Sequence, residues 1–118
     1  KFEVHADGSG YLVGSWSSDE RLKENIKDTT YGLAEVLQLK PVEFTWLDQP
    51  QTLIKHGFIA QAAELIMPKM IQGDSSEEAD ANMSFDYFGM TAVLTKAIQE
   101  LSAKNDALEA RVTALENA

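Results

Sequence analysis

Cysteine is absent from this chain of 118 residues. That excludes disulfides, thiolate metal sites and a cysteine nucleophile. Basic residues are scarce: 10 Lys and Arg stand against 19 Asp and Glu, for a formal net charge of −9. Tracking nucleic-acid phosphates or docking on an anionic membrane needs a basic face, so neither partner is expected. No apolar run approaches the length that spans a bilayer. No leader pattern is visible, and a first residue of Lys1 suggests a piece cut from a longer protein. A Gly-rich phosphate loop is missing too, since Gly8 and Gly10 precede a strand-like stretch rather than a helix. His5 and His56 lie far apart without carboxylates at ligand spacing, so no metal site and no cofactor are expected. The stretch 73–82 carries Asp74, Glu77, Glu78 and Asp80, but not at the spacing of a calcium loop. A mobile, solvated acidic loop is expected there.

What is present suits one folding unit, with 44% hydrophobic residues and a length near that of a single domain. The alternation of Phe2, Val4 and Ala6, the turn signal at Asp7 to Gly10 and the run 11–16 predict a small hairpin. Such a ribbon is marginal alone in water. Residues 21–27 place Leu22 and Ile26 four apart on one helical face. Thr29 and Thr30 can cap a helix through Tyr31, Leu33, Val36, Leu37 and Leu39, which Pro41 stops. The run 42–46 alternates as a half-buried strand, with 53–59 as its hairpin partner. Trp46 and Phe58 are expected in the core of that hairpin, rather than as a platform for sugars. A helix over 60–67 ends at Pro68, and 84–87 leads as a short strand or turn into the last helix. The fold class is α+β: a small antiparallel sheet with short helices and one long closing helix.

That closing helix carries the strongest periodicity. Leu94, Ile98, Leu101, Asn105, Leu108, Val112 and Leu115 alternate spacings of four and three. Ile98, Asn105 and Val112 take the a positions of a heptad, and the four leucines take d. Lys104 and Arg111 fall at g, with Glu109 and Glu116 at the following e positions. This favours a parallel, in-register coiled coil over residues 90–118, in which Asn105 fixes the register. The plainer reading is an amphipathic helix packed on its own domain.

Ser17, Ser18, Asp19, Glu20, Arg21, Leu22, Lys23, Glu24, Asn25 and Ile26 admit two readings. Locally, Ser17 with Glu20 makes a capping box ahead of Leu22. Chemically, a serine nucleophile can be served by a neutral lysine amine, provided the amine is desolvated. Ser18 and Lys23 are five residues apart. On a regular helix that places them about 140° from one another, and on a strand it puts them on opposite faces. A dyad therefore requires a bend near Ser18. Asp19, Glu20 and Glu24 favour a charged amine beside them, so burial or a cation such as Arg21 or Lys27 must offset them.

Residues 18–26 closely resemble the Ser-Asp-x-Arg-Leu-Lys-x-Asn-Ile signature of a phage family. Its members are the C-terminal intramolecular chaperone domains of tail spikes, tail fibres and neck appendages, with self-cleaving serine peptidase activity. Leu37, Leu39, Pro41, Val42, Phe44 and Trp46, the run 57–61 and the closing helix resemble the same domain in the same order. The resemblance implies Ser18 as nucleophile and Lys23 as general base, supported by Asp19, Arg21 and Asn25, and cleavage between Ser17 and Ser18. Residues 1–17 would remain as the strand-rich end of a mature fibre, and 18–118 would leave as the chaperone. It further implies a homotrimer whose partners are its own copies and the upstream fibre segment. The virion tail fibre precursor would be made in the host cytoplasm and would serve host attachment. A permanent trimerisation cap without peptidase activity, or an unrelated coiled-coil interaction domain, are the alternatives.

Overall fold

A computed structural model describes residues 2–4, 10–12, 17–73 and 82–118. The architecture is α+β, and among the described residues the antiparallel pairing is divided among three two-stranded sheets. β1 (Phe2–Val4) pairs with β2 (Gly10–Leu12), Phe2 opposite Leu12 and Val4 opposite Gly10. The rest of the expected hairpin, residues 5–9 and 13–16, lies outside the described residues, as does the acidic stretch 74–81.

The helical turns expected over 21–27 shrink to one 3-10 turn, Glu20–Leu22, after which Lys23 returns to extended backbone. Leu22 and Ile26 are both exposed, so no packing holds a longer helix together. α1 (Leu33–Val36) is also shorter than the spacing predicts. Its cap is not Thr29 or Thr30; the Thr29 hydroxyl accepts from the Tyr31 amide instead. The first free amides of α1 find carboxylates: Gly32 N–H donates to Glu35 Oε1 at 2.8 Å, and Leu33 N–H to Glu100 Oε1 at 3.0 Å. Glu100 belongs to the last helix, 67 residues away. A Cβ at Gly32 would collide with that carboxylate, so glycine is what lets the two helices approach.

β3 (Val42–Phe44) and β4 (Lys55–Gly57) form the expected hairpin, with Val42 opposite Gly57 and Phe44 opposite Lys55. Phe58 follows it and packs on Phe85 at 5.2 Å between ring centroids. Trp46 does not join the core. It stacks its edge on Phe44 and remains half exposed, because the loop after β3 leads it beyond the edge of the packed layer. α2 (Ala60–Glu64) stops before the expected Met67, and a 3-10 turn, Pro68–Met70, continues the chain. β5 (Ile71–Gln72) then pairs with β6 (Ser84–Phe85), a pairing that two-residue strands do not announce in sequence. Gly73 closes this ribbon with φ 97°, a left-handed conformation that suits glycine.

α3 (Tyr87–Glu116) runs for 30 residues from an Asp86 cap, whose Oδ1 accepts from Gly89 N–H at 2.8 Å. The core gathers where α3 begins: Ala63, Met67, Met70, Phe85, Met90 and Val93, flanked by Tyr31, Val36, Leu39, Phe58, Ile66 and Ile71. Met67 is fully buried. Three methionines in so small a core supply flexible filling between irregular short elements. Val93 and Ala97 continue the inward face of α3, but every residue from 98 to 118 is exposed. Past Glu100, which still reaches α1, no residue of the helix is buried.

The Glu100 carboxylate is thus a cap delivered across the fold. Glu100→Ala is expected to lower stability by about 1 kcal/mol, while Gln99→Ala on the same turn stays within about 0.5 kcal/mol. Chemical denaturation of the two variants checks this.

Candidate active site

The site begins with the turn that follows Ser18. Asp19 is the N-cap of the 3-10 turn: its Oδ1 accepts from Arg21 N–H at 2.9 Å. The Ser17 capping box is therefore not what starts the turn. The Asp19 carboxylate also accepts from the Arg21 guanidinium, with Nη2 to Oδ2 at 2.7 Å and Nε to both oxygens at 3.1 and 3.2 Å. One carboxylate thus holds the backbone and the side chain of the same arginine. Amides of Leu22 and Lys23 close the turn onto the carbonyls of Asp19 and Glu20, both at 3.0 Å. The chain bends immediately after Ser18, so Lys23 does not leave on the far side. Its Nζ reaches back to donate to Ser18 Oγ at 2.8 Å.

Of the residues singled out in sequence, Ser18, Asp19, Arg21 and Lys23 are brought together in one turn. Ser17 precedes it, exposed, and Asn25 follows it in a left-handed backbone conformation with φ 55°. The heptad residues Leu94, Ile98, Leu101, Asn105, Leu108, Val112 and Leu115 lie apart, along one stripe of α3, and are all exposed. Leu22 and Ile26, which flank Lys23 in sequence, are 74% and 65% exposed. Sequence reasoning treated those two as a helix face, and no helix forms there.

Electrostatically the Asp19 and Arg21 pair is tight although it lies in water. The Arg21 side chain, and then its amide, hold the Asp19 carboxyl below the ordinary carboxylate range. Such an exposed pair contributes little to stability; its use is to fix the shape of the turn. His56 sits elsewhere, on β4 with Nδ1 4.0 Å from Glu43 Oε1, and both side chains are exposed. Among the described residues no group of three His, Asp or Glu could hold a metal ion. Nor is any described helix long and apolar enough to cross a membrane. The apolar groove lined by Phe44, Trp46, Leu47, Ile59 and Tyr87 includes neither Ser18 nor Lys23.

Comparison with known proteins places this turn at the start of a recognised unit. Residues 18–72 match the model of a peptidase family described as the chaperone of endosialidase. The chain carries a domain of that family. Over 97 residues it is also 30% identical to a protein of Escherichia phage Phieco32 named "Probable tail fiber protein". The match takes in 80% of this chain and 13% of that relative's length.

The carboxyl of Asp19 loses its contribution to the turn when it is protonated. Its folded pKa is depressed, so that contribution is present above the ordinary carboxylate range and fades as pH falls through the lower, folded value. In an NMR titration, the Asp19 carboxyl is expected to titrate at higher pH in Arg21→Ala than in the parent chain. Equal midpoints would contradict the clamp.

Proposed function

We propose that this chain is the intramolecular chaperone of a phage tail fibre or spike, which trimerises, registers three fibre chains and then releases itself by cutting between Ser17 and Ser18. The observation that carries the reading is the 2.8 Å approach of Lys23 Nζ to Ser18 Oγ, at the first residue of the family match. With the amine neutral, the same approach lets it accept the hydroxyl proton. Ser18 Oγ attacks the Ser17 carbonyl carbon, the bond from that carbon to Ser18 N breaks, and the proton passes through Lys23 to the departing nitrogen. The result is an ester between Ser17 and the Ser18 side chain. Water hydrolyses it, leaving a Ser17 carboxylate and a free Ser18 N-terminus.

In a single chain both reacting side chains are exposed, so water reaches the pair. Desolvation is assigned to assembly. The uncovered stripe of α3 supports association as a parallel coiled coil, with Lys104 and Arg111 facing Glu109 and Glu116 of neighbouring copies. Residues 1–17 stay with the fibre, 18–118 depart, and the loss of the template locks the fibre kinetically.

Mass spectrometry of assembled protein is expected to show a new N-terminus at Ser18. Ser18→Ala and Lys23→Ala should each slow the cut by about 100-fold or more, yet still self-associate in light scattering. Ile98→Ser combined with Leu101→Ser should yield monomers that cleave slowly. An assembled parent chain that stays whole on long incubation would leave a permanent trimerisation cap; rapid cleavage by the monomeric variant would remove the link to assembly.

A further inference from the structure

We infer that Phe88 of a neighbouring copy fills the apolar groove beside the start of α3, so that each domain of the assembly is completed by a ring from the next chain. The inference rests on the assembly part of the reading above, a parallel association along the stripe of α3. Counted back one heptad from Leu94, Tyr87 takes a d position and Phe88 the e position after it. Tyr87 is therefore the first member of the exposed stripe. It is also a wall of the groove, together with Phe44, Trp46, Ile59 and Phe85. Seam and groove are one continuous surface. Packing within the chain sets the flank of α3 on which the groove opens. Met90 and Ala97, both at g, are buried beside the stripe, and Met90 joins Phe85 in the core. The domain thus lies on the g flank. In a parallel coiled coil, the e positions of one neighbour come against that flank. In register, that neighbour's Phe88 arrives at the height of Tyr87, at the mouth of the groove. Within its own chain Phe88 is 60% exposed, and among the described residues no aromatic ring stacks on it. The groove has room for it: about 770 Å³, against the ~150 Å³ that admits a benzene ring.

Two readouts test this, both in a Ser18→Ala background so that the chain stays whole. In sedimentation, Phe88→Ala should raise the concentration of half-assembly by about tenfold, and Phe88→Leu should recover most of that loss. Phe88 is exposed in the single chain, so neither change should move the thermal midpoint of the monomer made with Ile98→Ser and Leu101→Ser. The second readout is covalent. The chain has no cysteine, so a Trp46→Cys chain and a Phe88→Cys chain, refolded as a mixture, carry one thiol each. Well above the concentration of half-assembly, a short bismaleimide should link them into dimers holding one chain of each kind, in excess over dimers of either chain alone. Phe88→Ala that assembles at the parent's concentration, or mixed chains that assemble without linking, overturns the inference and leaves the trimer standing. A groove filled by the upstream fibre segment gives that result. A parent chain that stays monomeric at every concentration overturns both.

Discussion

The contact between the Lys23 amine and the Ser18 hydroxyl lies in water, and that single fact constrains the rest. A hydrogen bond between exposed groups is worth little and persists only where the backbone brings the groups together cheaply. Here the backbone does so with four side chains and one tight turn. Asp19 satisfies the free amide at the turn's start and ties down Arg21, leaving Lys23 free to fold back. Geometry of this kind can be complete while chemistry waits, because proximity and protonation state are set by different things. The turn sets the first. The surroundings of the amine set the second, and the single chain supplies no cover.

In the proposed assembly, cover and association would meet in α3. Its first three turns bury Met90, Val93 and Ala97 against the small core, while Leu94, Ile98 and Leu101 face away from it. A helix with apolar residues on two sides has more surface to bury than its own domain offers. The core beside it is small and built of short elements, so its integrity depends on α3 as a wall, and Glu100 caps α1 from that wall. In the proposed trimer, aligning three such helices would also align three copies of the domain attached to them. Registration of the fibre and desolvation of the dyad then become consequences of one event, with no separate trigger needed.

Much of this was legible in sequence where a pattern is carried by neighbours. The long helix followed from the spacing of Leu94 to Leu115, and the hairpin of β3 and β4 from the alternation around Phe44. The need for a bend at Ser18 followed from a five-residue separation that neither helix nor strand could serve, and the 3-10 turn is that bend. What sequence could not give depends on distant partners. The cap of α1 comes from Glu100, not from the adjacent threonines, and no local rule finds a carboxylate 67 residues on. Trp46 looked like core because it is large and sits on a strand pattern, yet the chain turns just past Phe44 and leaves it half outside. Leu22 and Ile26 share a helical spacing without a helix, since spacing creates a face only where something packs against it.

The unpacked leucine and isoleucine are the more instructive failure. In an ordinary monomer, exposed apolar residues scattered singly need no explanation. These two flank the one amine that must lose its water for the proposed reaction, on a segment otherwise full of charge. Arg21, the cation nearest in the turn, is bound by Asp19. Of the two offsets available, a nearby cation and burial, the turn has committed its nearest cation elsewhere. Burial remains, and Leu22 and Ile26 are exposed apolar residues that a covering surface in the proposed assembly would bury. In the proposed reaction, the same residues that fail to make a helix would then tie the cut to the arrival of a second chain.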